Sequence, residues 1–98
     1  LVRFGEGLLE GKLLSDSTRA LLWTPQLMKN GSRSEYGIGW FIGKDGRGRT
    51  RVSHSGGSVG GTAFLVVYPE QQVVVALLCN SDAPFVGMAP GIAERFVD

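Results

Sequence analysis

The sequence predicts an α+β fold, in which an antiparallel sheet of about four strands follows two helices and precedes a third. Apolar residues recur at helical spacing near both ends of the chain, and they alternate or run continuously in its middle. Glycine and proline separate these middle segments, and glycine supplies 15 of the 98 residues, about twice its usual share of roughly 7%. A chain of this length holds one small domain or part of one.

Two short helices are predicted in the first part of the chain. Apolar residues at helical spacing over residues 1–9 indicate the first helix, and Gly11 is well placed to end it. Ser15 or Asp16 is expected to cap the second helix through its side-chain oxygen, and Pro25 stops that helix. Both helices therefore lie ahead of the sheet.

Four strands are predicted in the middle of the chain, over residues 36–42, 50–55, 62–68 and 73–79. Bulky residues alternate with glycine in the first strand, which suggests the close approach of another backbone. Asp45-Gly46 makes a hairpin turn into the second strand, and the glycine run at residues 56–61 is expected to break the pattern after it. The fourth strand is nearly all apolar, which predicts burial on both of its faces.

A loop between Pro84 and Pro90 and a helix over residues 92–97 complete the predicted order of elements. The helices are expected to cover one face of the sheet at most, because they are few and short. The other face and one edge of the sheet would then be covered by something outside this chain. We therefore expect a homo-oligomer to form through an exposed strand edge.

Composition excludes several classes of function. Ten basic and nine acidic residues leave a net charge of +1, which offers no electrostatic basis for binding nucleic acid or an anionic membrane. The longest mostly apolar run, residues 62–68, is far shorter than the roughly 20 residues of a membrane helix. One cysteine and one histidine argue against a disulfide framework and most metal sites.

Residues that could carry chemistry concentrate at the end of the second predicted strand and in the glycine run that follows it. His54 is a natural general acid or base near neutral pH, and its neighbouring glycines let backbone N–H groups approach a developing oxyanion. Ser55 follows it directly and so points to the opposite face of a strand, which argues against a local Ser-His dyad. No carboxylate stands at an obvious spacing to orient the histidine. Composition alone favours a plain alternative, a glycine-rich hairpin with an exposed histidine.

The remaining candidate residues are interpreted as structural. The basic hairpin tip around Asp45 is predicted to be a solvated turn, and Cys79 a small buried apolar side chain. Three aromatic side chains are predicted to belong to the core rather than to a substrate groove: Trp23, Trp40 and Phe41.

Several short motifs, taken in order, resemble the C-terminal part of the serine β-lactamase-like family, which includes class C β-lactamases, DD-peptidases and related esterases. The motifs are Leu13-Leu14-Ser15 before Trp23-Thr24-Pro25, Glu35-Tyr36-Gly37-Ile38-Gly39-Trp40, His54-Ser55-Gly56, Gly60-Gly61, Tyr68-Pro69-Glu70 and Asn80. The resemblance covers essentially the whole chain. It implies an incomplete piece of the β-lactamase/transpeptidase-like fold, with residues 1–98 a C-terminal fragment that is helical over 1–30, antiparallel strands over 35–80 and a terminal helix over 85–98.

The resemblance also implies roles for a few residues in acyl-enzyme chemistry on amides or esters, such as β-lactams, peptidoglycan-type peptides or small esters. His54-Ser55-Gly56 stands in the place of the family's Lys-Thr/Ser-Gly motif and would bind the acidic end of the substrate, with Ser55 also able to shuttle a proton. The Gly57 N–H would donate to the oxyanion. Histidine in place of lysine argues against efficient β-lactam hydrolysis, because imidazole is only partly charged near neutral pH. The resemblance suggests a bacterial periplasmic or extracellular location.

The chain departs from the family pattern in two motifs that catalysis requires. It contains neither Ser-x-x-Lys, which supplies the nucleophile, nor Tyr-x-Asn, which supplies a second acid or base. Both ends of the chain lie within helical patterns and no initiator methionine is present, which predicts a piece of a longer protein. The isolated chain is expected to be inactive without the remainder of that domain. The alternative is a non-catalytic module of the same fold that binds a peptide or a partner strand.

Overall fold

The chain folds as helices packed on one antiparallel sheet in a computed structural model, which describes residues 1–82 and 85–98. The elements in chain order are α1 (Val2–Leu9), α2 (Asp16–Leu22), β1 (Phe41–Lys44), β2 (Thr50–Ser58), β3 (Gly61–Tyr68), β4 (Val73–Cys79), a 3-10 turn at Phe85–Met88 and α3 (Ala89–Val97). The strands lie in the sheet in the order β1-β2-β3-β4, and each pairs antiparallel with the next. The predicted α+β class is confirmed.

The ends of the first two helices follow the predicted signals. Gly11 adopts a φ of 71° just after α1, and the side chain of Ser15 accepts a backbone hydrogen bond at the start of α2. The Arg19 guanidinium of α2 donates to the carbonyls of Leu8 and Leu9, both at 2.8 Å. Because the last carbonyls of a helix have no partner within it, this contact satisfies the end of α1 and joins the two helices.

The predicted extent of the first strand, residues 36–42, is wrong over most of its length. Residues 37–40 form a turn, in which the Gly37 N–H donates to the Trp40 carbonyl at 2.8 Å. Gly39 has a φ of 78°, a left-handed conformation that an extended strand does not contain. The regular strand β1 therefore begins only at Phe41. Alternation of bulky residues with glycine is the same for a strand and for this turn, so the pattern could not separate them.

The second strand is longer than predicted. The glycine run was expected to break it, but β2 continues through Gly56 and Gly57 and pairs with β3 up to Ser58 opposite Gly61. Glycine lowers the stability of a strand but does not prevent its backbone from pairing. Only residues 59–60 form the turn between the two strands, so Gly56 and Gly57 lie on the same strand as His54 and Ser55 rather than in a loop.

The helices lie on both faces of the sheet, which corrects the expectation that they cover one face at most. On the first face, Leu8 of α1 and Trp40 pack with side chains of β2 and β3 that include Val52 and Val67. On the second face, Ala93 of α3 packs with Val66 and Tyr68, the alternate positions of β3, and partly buried residues surround them. Pro90, expected in a loop, lies in the first turn of α3, while Pro84 lies outside the described residues.

Two parts of the sheet remain uncovered within the described ranges. The first face is open towards the turn between β2 and β3, where Leu78 is 67% exposed. No described strand pairs with the outer edge of β4. A strand edge with unpaired backbone groups is a template for further pairing.

Two of the three aromatic side chains predicted for the core lie there. Trp40 is buried, with Trp23 edge-on at 5.9 Å and Phe4 stacked at 6.4 Å between ring centroids. Phe41 is 51% exposed, so its assignment to the core was wrong. Cys79 is half-buried rather than buried. Ile42 of β1 packs on the cluster that holds Trp40, so Phe41, its neighbour in the strand, is directed to the other face.

The tip of the basic hairpin is solvated at Lys44, Gly46 and Arg47, as predicted, but it is organised around the buried carboxylate of Asp45. Asp45 accepts hydrogen bonds from the N–H groups of Arg47 and Arg49 at 2.9 and 3.0 Å, from Arg49 Nε at 2.7 Å and from the Tyr68 hydroxyl at 3.1 Å. Arg49 also contacts Asp98 at 2.9 Å, which ties the hairpin to the end of α3. A buried charge is tolerated here because four hydrogen bonds are donated to it, one of them from a guanidinium group.

The Asp45 carboxyl is the main acid-sensitive group described. Burial raises its pKa, but the hydrogen bonds from Arg49, Arg47 and Tyr68 outweigh burial and lower the pKa to about 2 from 3.8. Since the folded pKa lies below the unfolded one, the carboxylate contributes stability above about pH 4 that is lost as the pH falls towards 2. We expect Asp45→Asn to lower the urea midpoint at pH 7, and the difference from the parent to shrink towards pH 2.

Asp16→Asn is the matched control for this measurement, because the Asp16 side chain is 85% exposed and pairs with Arg19 at 3.5 Å. An exposed pair of this kind contributes little. Equal urea midpoints for the two variants at pH 7 would contradict the assigned role of Asp45.

Candidate functional site

The predicted site residues lie on the part of β2 that extends beyond β1. β1 pairs with β2 only from Thr50 to Ser53, whereas β3 pairs with β2 as far as Ser58. From His54 onward, the edge of β2 that faces away from β3 has no described strand beside it. The His-Ser-Gly motif thus begins where a free strand edge begins.

The direction of the backbone groups along this edge follows from strand pairing. Ser58 and Gly61 close a two-residue turn, and such a closing pair exchanges hydrogen bonds, so the backbone of Ser58 faces β3. Because backbone direction alternates, the N–H of Gly57 faces the free edge. The other end of the strand agrees, since the Asp45 N–H donates to the Arg49 carbonyl across the β1–β2 turn at 3.0 Å. Gly57 stands an even number of positions after Arg49, so its backbone groups point to the same edge of β2 as those of Arg49.

The side chains of His54 and Ser55 leave opposite faces of the sheet, as the sequence predicted. His54 pairs with Leu65, a residue of the first-face core, and Ser55 pairs with Phe64, which packs on the second face. His54 is exposed and Ser55 half-buried. The two side chains therefore cannot act as a local dyad, and each must meet a substrate from its own side.

A groove of about 740 Å³ lies where β2 and β4 end and β3 begins. Gly56 and Gly57 line it together with Cys79, whereas His54 and Ser55 are not among its lining residues. Near the groove, the Gly60 N–H donates to the carboxylate of Asp82. Apart from Leu78 and Asn80, the lining consists of glycines and small side chains, so the groove offers a ligand backbone groups and one exposed apolar side chain.

His54 has a hydrogen-bond partner that the sequence analysis did not identify. Its Nε2 lies 3.0 Å from the hydroxyl oxygen of Tyr36. The ring centroids of Tyr36 and His54 are 6.0 Å apart, and Phe41 lies 5.7 Å from His54 and 4.8 Å from Tyr36. We call these three side chains the aromatic cluster. Tyr36 precedes His54 by 18 positions, across a turn and a hairpin, and no periodic pattern in the sequence relates positions so separated.

The described ranges add two findings about cofactors and membranes. They contain no group of three or more His, Cys, Asp or Glu side chains arranged to hold a metal ion. Within the same ranges, no helix has the length and apolar character needed to cross a bilayer.

Comparison with known proteins gives one family match and one curated relative. The family model described as Beta-lactamase matches residues 1–95. The chain is also similar to Penicillin-binding protein 4* of Bacillus subtilis (strain 168), with 27% identity over 82 residues. That match covers 84% of this chain and 18% of the relative, so the chain spans less than a fifth of the length of the curated protein it matches.

Proposed function

The chain belongs to the Beta-lactamase family, and we propose that it forms one side of the active site of a serine hydrolase that acts by acyl-enzyme chemistry. The substrates would be amides or esters: a β-lactam, a peptidoglycan-type peptide or a small ester. The observation that carries this proposal is the free edge of β2 from His54 to Ser58, on the strand that bears the His-Ser-Gly motif. A substrate carbonyl placed beside this edge would meet backbone N–H groups directly.

Gly57 is proposed to stabilise the tetrahedral intermediate. Its N–H faces the free edge by strand alternation, and it carries no side chain that would block an approaching substrate. A second donor, the N–H of the nucleophile itself, would come from elsewhere in the protein. An oxyanion held between two backbone donors is stabilised without any change in protonation of the chain.

His54, Ser55 and Gly56 are proposed to bind the acidic end of the substrate. His54 is exposed at the start of the free edge, so its imidazole is accessible to a ligand there. Imidazole and hydroxyl groups both donate hydrogen bonds to a carboxylate. Gly56 lets the substrate lie close to the strand. In this mechanism the chemistry needs neither a metal nor an organic cofactor.

The nucleophile is proposed to lie in another part of the parent protein. None of the serines in the 98 residues is followed three places later by lysine, and neither tyrosine begins Tyr-x-Asn. The chain alone is therefore expected to be inactive, and its first partner is the remainder of the parent domain. The unpaired outer edge of β4 is the proposed place of association, with that remainder or with a second copy. A strictly monomeric isolated chain at high concentration would contradict the homo-oligomer.

The test of the proposed function is covalent labelling of the natural gene product that contains this sequence. Its intact mass is measured before and after exposure to a penicillin and to an activated ester. We expect the gain of one acyl group, mapped by peptide analysis to a serine followed three places later by lysine. A gene product that contains such a serine but takes no label from either reagent would contradict the proposal and favour a non-catalytic binding module.

A further inference from the structure

The imidazole of His54 is exposed, and an exposed side chain on a strand is free to change rotamer unless something holds it. Its Nε2 lies 3.0 Å from the Tyr36 hydroxyl, a distance at which a hydrogen bond forms. The tilted contact with Phe41, at 5.7 Å between centroids, supports the ring from a second side. The aromatic cluster thus fixes both the position of the imidazole and the nitrogen that faces Tyr36.

Tyr36 is itself held firmly enough to act as a reference point. Its backbone carbonyl accepts from the Gln26 N–H at 3.0 Å and from the Ser34 hydroxyl at 2.9 Å. Its ring packs edge-on against Phe41 at 4.8 Å, and its backbone pairs with that residue across the 37–40 turn. The hydroxyl therefore reaches His54 from a rigid hairpin rather than from a loose loop.

We propose that Tyr36 is a positioning residue that sets the tautomer of His54. The Tyr36 hydroxyl donates its proton to Nε2, so the neutral imidazole carries its own proton on Nδ1. The Nδ1–H is then the donor that meets the acidic group of the substrate. This inference rests on the proposed function, since it states how His54 binds the substrate that the hydrolase would use.

Donation from the Tyr36 hydroxyl to Nε2 determines the state of both imidazole nitrogens. A neutral imidazole has one donor and one acceptor nitrogen, and the hydrogen bond made by one nitrogen decides the state of the other. When Nε2 accepts from a phenol, Nδ1 must carry the proton. An imidazole oriented in this way offers an N–H to a carboxylate even when it is uncharged. An uncharged His54 can therefore donate a hydrogen bond to the substrate carboxylate where the family motif has a charged lysine.

The tautomer is measured by nitrogen-15 chemical shifts of the imidazole at about pH 9, where an imidazole is neutral. His54 is the sole histidine of the 98 residues, so both imidazole nitrogen signals of this chain belong to it, and their couplings to the ring protons distinguish Nδ1 from Nε2. We expect the proton on Nδ1 in the parent and its transfer towards Nε2 in Tyr36→Phe, which keeps the ring but removes the hydroxyl. A proton on Nε2 in the parent, or identical shifts in the variant, would overturn the inference.

Tyr68→Phe is the matched control, because the Tyr68 hydroxyl bonds Asp45 on the other face of the sheet. It should leave the imidazole shifts unchanged. In the full gene product, Tyr36→Phe should raise the KM for an ester with a free carboxylate about tenfold at the same pH. The KM for the same ester with that carboxylate amidated, and kcat for both, should change little. An equal rise in both KM values would contradict positioning for an acidic group.

The proposed hydrolase function and the proposed role of Tyr36 can be disproved independently of each other. If the gene product hydrolyses neither ester and takes no acyl label, the proposed function is wrong. The nitrogen-15 shifts of the parent and of Tyr36→Phe then still decide whether Tyr36 sets the tautomer, because they require no turnover.

Discussion

Gly57→Pro should lower kcat of the gene product on an activated ester by about 100-fold or more, as loss of one oxyanion donor does elsewhere. Proline has no backbone N–H, so the substitution deletes the proposed donor itself, which no side-chain change could do. The fold should survive, because this N–H faces the free edge of β2 and proline is tolerated on strand edges. Thermal unfolding of the variant, followed by circular dichroism, checks that the fold is retained.

Gly57→Ala is the control that separates loss of the N–H donor from loss of the space that glycine leaves. A methyl group at this position would lie 3.8 Å from the Gly61 carbonyl oxygen and 3.9 Å from the Thr62 methyl carbon, both ordinary contacts. The alanine variant keeps its N–H and should retain kcat close to that of the parent. Full activity in a folded proline variant would show that the Gly57 N–H does not stabilise the oxyanion. Equal losses in the two variants would mean that space at this position, rather than the N–H, limits the reaction.

The sequence predicted the order of elements well because most of their ends carry local signals. Ser15 caps α2 by accepting a hydrogen bond from the Thr18 N–H, and the uninterrupted apolar run of β4 is visible in the sequence itself. The face separation of His54 and Ser55 followed from strand alternation alone. Each of these features depends on neighbours in the chain, so a single sequence contains the information needed.

Apart from the local turn at residues 37–40, the main errors arose where the outcome depends on residues far apart in the chain. The burial of Asp45 was not predicted, because the Tyr68 hydroxyl that donates to its carboxylate stands 23 positions later in the chain. The partner of His54 was missed for the same reason. The extent of β2 through Gly56 was misjudged because β3 supplies the pairing that glycine's low strand propensity would not predict. Tertiary contacts decided these positions, and local patterns do not contain them.

Gly37 was predicted to allow the close approach of another backbone, and the contact is closer than any side chain permits. A Cβ built at Gly37 would lie 2.0 Å from the carbonyl oxygen of Leu22 and 2.8 Å from Cδ1 of Ile42. The same carbonyl accepts the Ile38 N–H at 2.9 Å, so it cannot move away without loosening the contact between the 37–40 turn and the end of α2. The clash is with backbone, and no rotamer change relieves it.

Gly37→Ala should therefore reduce the free energy of unfolding by about 3 kcal/mol or more, at the upper end of what overpacking costs. Gly43→Ala in β1 is the matched control, because no atom lies within 4 Å of a Cβ there and its backbone is not left-handed. That variant should be neutral or slightly stabilised, since alanine restricts the unfolded chain more than glycine does. Urea unfolding of both variants measures the difference. Equal midpoints would show that the 37–40 turn does not press against α2 in solution, and the rigid support assigned to Tyr36 would then be lost with it.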